Sequence, residues 1–191
     1  MKTDVYEKEA TVRRGSGDKF GSWKPAAGQD DKIKKMDAAG TPGPAHKALD
    51  ALVGNWKGEV KCWLDPAGEP NVSQATSKAS WTLDGHFLEE EFRGEMMGQP
   101  FTGLLLMGYD NTKQKFNSVW VDSLHTSMFT SEGKGDNDNK VITLEGRMDY
   151  PGTDRKNVPM KLVFRVPSRD KHVLEMFNDG ARTMEITYTR Q

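Results

Sequence analysis

Gly54-Asn55-Trp56 opens the first strand-like segment of the chain, and Thr187-Tyr188-Thr189-Arg190 closes the last one. When an antiparallel sheet closes into a barrel, its first and last strands become neighbours. An arginine on the last strand can then cover the face of a tryptophan on the first as a cation–π pair. These two stretches therefore predict a closed barrel, with Trp56 and Arg190 in structural roles at its seam.

Between these ends the residues alternate with period two and are interrupted by turn residues about every ten positions. Asp84-Gly85, for example, is typical of a tight hairpin turn. Consecutive strands without helices between them indicate an up-and-down meander. The fold class predicted is all-β, a single antiparallel barrel of about ten strands. The predicted strands are 56–63, 73–83, 86–94, 99–109, 115–122, 124–131, 140–149, 157–166, 171–178 and 182–190.

The N-terminal residues differ from the rest. Residues 1–42 contain nine Lys/Arg and seven Asp/Glu with few large apolar residues, a composition typical of a flexible tail. Phe20 and Trp23 are exceptions that could dock onto the barrel or a partner, or could be solvated. Pro44 suits the first turn of a short helix that ends before Gly54 and covers one barrel mouth. The domains predicted are a tail at 1–42 and a barrel at 43–191.

Composition excludes several classes of protein. Twenty-seven basic residues balance 28 acidic ones, which argues against a nucleic-acid or anionic-membrane partner. No apolar run approaches the roughly 18 residues of a membrane span. The single cysteine, Cys62, excludes an internal disulfide and a multi-cysteine zinc site. We expect a cytoplasmic protein, with a removed leader peptide and the oligomeric state both left open.

Several motifs resemble a bacterial family catalogued as domain of unknown function 1579, within the calycin (lipocalin-like) superfamily. The matching motifs run from about residue 43 to 191: His46-x-x-Leu49-x-x-Leu52-Val53-Gly54-x-Trp56, Gly85-His86-Phe87-Leu88, Met96-Met97-Gly98-Gln99-Pro100-Phe101-x-Gly103, Gly108-Tyr109-Asp110-Asn111, Trp120-x-Asp122-Ser123, Thr130-Ser131-Glu132-Gly133 and Met184-Glu185-Ile186-Thr187-Tyr188-Thr189-Arg190. The resemblance implies a calycin-like barrel and supplies no substrate. His125 stands where members often have glycine, so a role for it is not implied.

The inward-facing residues of such a barrel decide its function, because the interior is either filled or open to one small ligand. Asp122 and Arg147 are candidate polar anchors for a ligand; the alternative for each, favoured when a residue is taken singly, is a solvent-facing residue or part of an internal ion pair. Trp120 shares the strand face of Asp122, with Phe116 and Ser118 further along, and a slip of one residue would turn Val119 and Val121 inward instead. The predicted ligand wall consists of Trp81, Phe92, Tyr109 and Trp120.

Glu90 is a further candidate, because Leu88 and Phe92 flank it on its own strand face. A carboxylate between two apolar residues is either a general base or a hydrogen-bonded core residue. Ser123 and His125 lie side by side without a third group to orient them. The histidines lack metal-ligand spacing, and no residue marks a haem ligand, so we expect neither metal nor cofactor.

The function expected is non-catalytic binding of a small, partly apolar molecule inside the barrel. One alternative is an enzyme that uses an interior carboxylate, Asp122 or Glu90, or else His125, for proton transfer on a bound small molecule. A third is an interaction module whose barrel is filled and which uses the tail. The sequence leaves these three open.

Overall fold

The computed structural model describes residues 29–96, 98–150 and 153–191. Two helices come first, α1 at Gln29–Gly40 and α2 at Pro44–Ala48, and a 3₁₀ turn follows at Leu49–Leu52. None of the helices in these ranges has the length and apolar character needed to cross a bilayer. Residues 38–191 form one compact unit, which contains the barrel.

Ten strands form a closed antiparallel barrel in which each strand pairs with its neighbours in sequence, and β1 pairs with β10 to close it. The predicted fold class is therefore confirmed. The strands are β1 Gly54–Cys62, β2 Asn71–Thr82, β3 Phe87–Met96, β4 Gln99–Asp110, β5 Lys115–Asp122, β6 Phe129–Gly135, β7 Val141–Met148, β8 Val158–Ser168, β9 Lys171–Asn178 and β10 Ala181–Arg190.

Alternation along the strands fills the barrel interior. On β8 the residues Met160, Leu162 and Phe164 are each at most 5% exposed and belong to the main core cluster. A second cluster surrounds Trp56 and Phe92. Because successive side chains of a strand point to opposite faces, these apolar residues lie inside while charged residues such as Arg165 remain outside.

The two ends of the barrel differ. At the end where β1 begins, the helical segment 44–52 closes the mouth: the His46 ring lies edge-on against Tyr109, and the Trp81 indole donates to the Asp50 carboxylate at 2.7 Å. We call this the capped end. At the opposite end, which we call the loop end, the strands are joined by the loops 63–70 and 123–128, by the connection between β7 and β8, and by the β3–β4 and β9–β10 hairpins.

One predicted strand is displaced. The sixth strand was expected at 124–131 but occupies Phe129–Gly135, because the preceding residues form a loop. Asp122 Oδ1 accepts hydrogen bonds from the backbone N–H groups of Leu124 and His125. The turn formed by these bonds moves the start of the strand from the expected residue 124 to Phe129.

The predicted tail boundary at residue 42 remains a prediction. Residues 1–28, with Phe20 and Trp23, lie outside the described residues, and α1 at Gln29–Gly40 has no buried residue. The backbone just after it contacts the barrel, since the carbonyl oxygens of Ala39 and Thr41 accept from the Asn111 amide and that of Gly40 lies 2.8 Å from His86 Nε2.

Candidate functional site

Four polar side chains face inward on four of five neighbouring strands, β9, β10, β2 and β3, with β1 between them. Glu90 on β3 lies diagonal to Ser77 on β2, and Tyr188 on β10 stands opposite His172 on β9. Gly58 of β1 is the register partner of Tyr188 and lies diagonal to Ser77; a Cβ there would lie 3.6 Å from the Tyr188 ring. The nearest atom to that Cβ would be Ile186 Cγ2, at 3.2 Å, so this position on β1 is too tightly packed for a side chain. We call Ser77, Glu90, His172 and Tyr188 the interior polar cluster.

Glu90 is the titratable group at the centre of this cluster. Its side chain is buried, and burial raises the pKa of its carboxyl, while the nearby Ser77 and Tyr188 hydroxyls lower it to a smaller extent. Neither Glu90 Oε1 nor Ser77 Oγ has a partner with hydrogen-bond geometry, however. The hydroxyls are therefore within electrostatic reach of the carboxyl without completing its hydrogen bonds. Burial also raises the pKa of Tyr188, and the Glu90 carboxyl adds to this effect.

His172 completes the interior polar cluster as a neutral ring. Burial and the Arg190 charge lower the pKa of His172 to about 3. Its Nδ1 has no hydrogen-bond partner, and its ring contacts are aromatic: it lies edge-on to Trp56, with centroids 4.4 Å apart. The cluster therefore offers polar groups without hydrogen-bond partners in an aromatic setting.

Trp56 and Arg190 form the predicted contact at the seam. The guanidinium carbon of Arg190 lies 4.1 Å from the centroid of the Trp56 ring, and the two residues are partners in register. The guanidinium donates to the carbonyl oxygens of Val53 and Arg169 at 2.9 and 2.8 Å. The indole of Trp56, which is fully buried, donates to the Leu52 carbonyl at 2.8 Å. These contacts tie the seam to the capped end.

Trp120 and Asp122 lie on the inward face of β5, together with the buried residues Phe116 and Ser118. The register is therefore the one in which Val119 and Val121 point outward. The Asp122 carboxylate accepts from the Trp120 indole at 3.0 Å and from the two backbone N–H groups that hold the 123–128 loop. Its Oδ1 also lies 2.9 Å from His125 Nδ1. Asp122 thus has a full set of partners, all within its own loop and strand.

The predicted aromatic wall is split between the two ends. Phe92, Phe101 and Trp120 contact one another towards the loop end, with ring centroids 5.9 to 6.2 Å apart. Trp81 and Tyr109 instead pack beneath the helical segment at the capped end. The four residues therefore do not line one cavity.

Arg147 does not lie with Asp122. It is exposed on the outer face of β7 and donates to the Asn157 side chain at 2.7 Å, while its strand neighbours Ile142, Leu144 and Met148 take the inward positions. The placement of Arg147 as an interior anchor is thus corrected by simple alternation along the strand, and Glu145 is exposed on the same outer face.

Methionines face the interior near the loop end, on five different strands, and all of them pack against the two core clusters. They are Met96, Met148, Met160, Met176 and Met184. Met96 and Met148 are the last residues of their strands, and Met176 pairs with Met184 in register. Because the methionine side chain is unbranched and flexible, it can repack around bound molecules of different shapes. We call these five residues the methionine ring.

Among the depressions on the described part of the surface, two are the most clearly formed. One of about 460 Å³ crosses the outer surface of β3, β4 and β5, where Arg93, Leu104 and Val121 line it. The other, of about 260 Å³, lies at the rim of the loop end beside Arg147 and Met148. The interior itself is occupied by core side chains.

The remaining candidates have local roles. The Ser123 hydroxyl accepts from the Thr102 N–H, and Cys62 is a half-buried thiol whose pKa is raised by burial. His46, in the helical segment that closes the capped end, is buried against Tyr109, and burial, followed by the charge of His86, lowers its pKa. Within the described ranges, no three or more His, Cys, Asp or Glu side chains converge as metal ligands would.

Reasoning from sequence did not select Ser77, Tyr188 or His172 as site residues. Tyr188 carried a usable signal, because it lies two residues before Arg190 and therefore on the same strand face. Ser77 and His172 carried none, since period two does not distinguish a buried serine or histidine from a solvated one.

Fold and interior together define a small closed antiparallel β-barrel protein with a polar cluster in an otherwise apolar interior. The chain belongs to the family described as "Protein of unknown function (DUF1579)", whose model matches residues 41–190. The family expected from the sequence motifs is thereby confirmed, while membership of the calycin superfamily stays a prediction.

A solved structure with the same fold supports the barrel architecture. The crystal structure of Rv2717c from M. tuberculosis is 17% identical to this chain, with a TM-score of 0.55 over 79% of this chain and 99% of that one. At this identity the likeness shows the fold alone. A redesigned beta barrel is 14% identical, and the alignment covers 75% of this chain and 95% of the redesigned one. Its TM-score of 0.41 is too low to support the same fold. No curated protein matches the chain.

Proposed function

We propose that this protein binds a small, partly apolar molecule inside the barrel, without catalysis, and that the molecule enters through the loop end. The observation that carries the proposal is the set of unpaired polar atoms in the interior polar cluster: Ser77 Oγ, Glu90 Oε1 and His172 Nδ1. A buried polar group without a partner costs about 1–3 kcal/mol. A barrel that only needed filling would gain stability from apolar residues at these positions.

The apolar part of the ligand would contact the aromatic residues Phe92, Phe101 and Trp120, which meet towards the loop end. Space for it comes from the methionine ring, whose side chains can change rotamer at low cost. In this proposal the filled interior is the ligand-free state, and binding replaces methionine contacts by ligand contacts.

The polar anchor in this proposal is Glu90. Asp122 has its partners already, and its contribution is to hold the Trp120 indole in one orientation through the 3.0 Å hydrogen bond. Trp81 and Tyr109 support the capped end, and Arg147 stays outside the binding region.

One observation favours a second candidate, an enzyme in which Glu90 transfers a proton. A buried carboxyl with a raised pKa is a common feature of general acids and bases. Turnover would distinguish the two, since a binding protein returns its ligand chemically unchanged.

Native mass spectrometry of protein purified from its own source tests the proposal. We expect a mass above that of the polypeptide, which disappears on denaturation and is recovered as a small organic molecule. The variant Met176→Ile, with a stiffer β-branched side chain in the ring, should retain less of it than Met36→Ile, an exposed methionine of α1. Bare polypeptide masses alone would contradict the proposal and favour the filled-barrel interaction module.

A further inference from the structure

Glu90 is a buried acid without a cation. Its residue is 9% exposed, and no described Lys, Arg or His nitrogen lies within 4.0 Å of its carboxyl oxygens. Buried carboxyl groups in proteins are normally paired with a cation or bound to a metal. The Glu90 carboxyl therefore lacks the positively charged partner that a buried carboxyl group normally has.

The other charged groups that face inward are already paired. Asp122 lies at the loop end and is engaged by its own loop, with His125 Nδ1 at 2.9 Å. Arg190 is held over Trp56 by the carbonyl oxygens of Val53 and Arg169. Neither group can act as a counter-ion for Glu90. Within the described interior, Glu90 is therefore an acid without a neighbouring positive charge.

The neighbours of Glu90 are hydroxyls and aromatic rings. The Ser77 and Tyr188 hydroxyls lie beside the carboxyl, and Phe92 follows it on the same strand face. Phe92 and Trp120 lie with ring centroids 6.2 Å apart. Oxygen acceptors combined with aromatic faces are the surroundings that proteins use for alkylammonium groups, through hydrogen bonds and cation–π attraction.

We propose that the ligand of this barrel carries a protonated amine at its polar end, with Glu90 as its counter-ion. The inference rests on the proposed function, because it names the chemical class of the molecule that would occupy the same interior. The ammonium group donates one hydrogen bond to Glu90 Oε1 and a second to Ser77 Oγ, the two oxygens of the interior polar cluster that now lack partners. The apolar part of the molecule extends towards Trp120 and the methionine ring.

The raised pKa of Glu90 agrees with this role. In the ligand-free barrel the carboxyl has no positive charge to stabilise its ionised form, so burial dominates. A bound ammonium group supplies that charge. A neutral donor group, such as an amide or alcohol, would gain no comparable charge pairing, so the two classes can be told apart by experiment.

Three probes with the same alkyl chain test the inference: hexylammonium, hexanol and hexanoate. Binding to the full chain at neutral pH is measured by calorimetry and by shifts of the tryptophan indole N–H signals. Glu90→Gln keeps the volume and removes the charge, and because it removes an uncompensated buried acid we expect it to fold. Glu89→Gln is the matched control, since it makes the same change on the outward face of the same strand.

We expect hexylammonium to bind more tightly than hexanol or hexanoate and to lose at least about tenfold in affinity in Glu90→Gln but not in Glu89→Gln. Tighter binding of hexanol or hexanoate, or equal binding of hexylammonium to both variants, would overturn the inference and leave the proposed function standing. If no probe binds, the inference fails, and native mass spectrometry decides the proposed function separately.

Discussion

His172 and Tyr188 stack in the barrel interior, with ring centroids 4.2 Å apart and an interplanar angle of 18°. The stack holds a histidine in its neutral form, because burial and the Arg190 charge lower the pKa of His172 to about 3. A neutral ring belongs in an apolar interior, and a charged one does not.

We expect the free energy of unfolding to fall as pH drops below the ordinary histidine value of 6.5, because the unfolded chain then binds a proton that folded His172 does not take up until about pH 3. The limiting slope for this one group is about 1.4 kcal/mol per pH unit. Urea unfolding of the natural chain and of His172→Phe at pH 7.5 and 4.5 measures the difference. Equal pH slopes for the two proteins would contradict the assignment.

Trp56→Ala should be severely destabilising, by about 3–5 kcal/mol, because it removes a fully buried aromatic residue at the seam. The control is Trp63→Ala, since Trp63 also lies under an arginine, with Arg182 Cζ 4.5 Å from its ring, but is only half-buried. Chemical denaturation compares the two. A cost for Trp63→Ala as large as that for Trp56→Ala would mean that the cation–π contact, rather than burial, dominates.

Gly103→Ala should disturb the aromatic residues near the loop end, because a Cβ at this position would overlap the Trp120 indole. We expect a loss of about 1–3 kcal/mol and a changed tryptophan emission spectrum. Gly43→Ala is a suitable control, since no atom lies within 4 Å of its added Cβ. Unchanged emission in Gly103→Ala would show that Trp120 has room to move.

Asp122→Ala should loosen the 123–128 loop and cost about 1–3 kcal/mol, because it leaves the Trp120 indole N–H and two backbone N–H groups without their acceptor. Asp122→Asn keeps one acceptor oxygen for the two backbone N–H groups but turns an amide NH2 towards the Trp120 indole, so it should retain the loop and lose only the indole hydrogen bond. Hydrogen exchange at Leu124 and His125 reports on the loop. Protected amides in Asp122→Ala would assign the loop's order to other contacts.

Limited proteolysis should trim the N-terminal residues and leave a resistant barrel. The tail was predicted to end at residue 42, but Asn111 donates to the Ala39 and Thr41 carbonyl oxygens. We therefore expect the resistant fragment to begin before Ala39. A fragment that begins at Pro44 would show that these hydrogen bonds do not protect the segment, and resistance of the whole chain would contradict the tail prediction.

The architecture was readable from sequence because each local signal agreed with the global one. Alternation, hairpin turns and the pairing of Trp56 with Arg190 all lead to the same barrel. Alternation also placed Glu90 inward, from its neighbours Leu88 and Phe92. The displacement of the sixth strand could not be predicted. It results from hydrogen bonds between backbone N–H groups and the Asp122 side chain, and the alternation of residue types gives no sign of such a turn.

The candidate site was less predictable because period two identifies a face of the sheet and not a height along the barrel axis. Trp81 and Trp120 both face inward, yet they lie at different ends, one bonded to Asp50 and the other to Asp122. Their separation depends on the stagger between neighbouring strands, and the sequence of one strand contains no information about that stagger. Arg147 shows the complementary error, since its face was assigned without its strand neighbours.

The pairing of β1 with β10 has a consequence for the chain during its synthesis. One edge of β1 pairs with β2, the strand made just after it, but the other edge stays unpaired until β10, the last strand, has been made. Until Arg190 reaches Trp56, the growing sheet keeps unpaired edges, and such edges are templates for association between chains. Nascent barrels on neighbouring ribosomes all present the same open edge of β1 during this interval, and the pairing of β1 with β10 removes that edge.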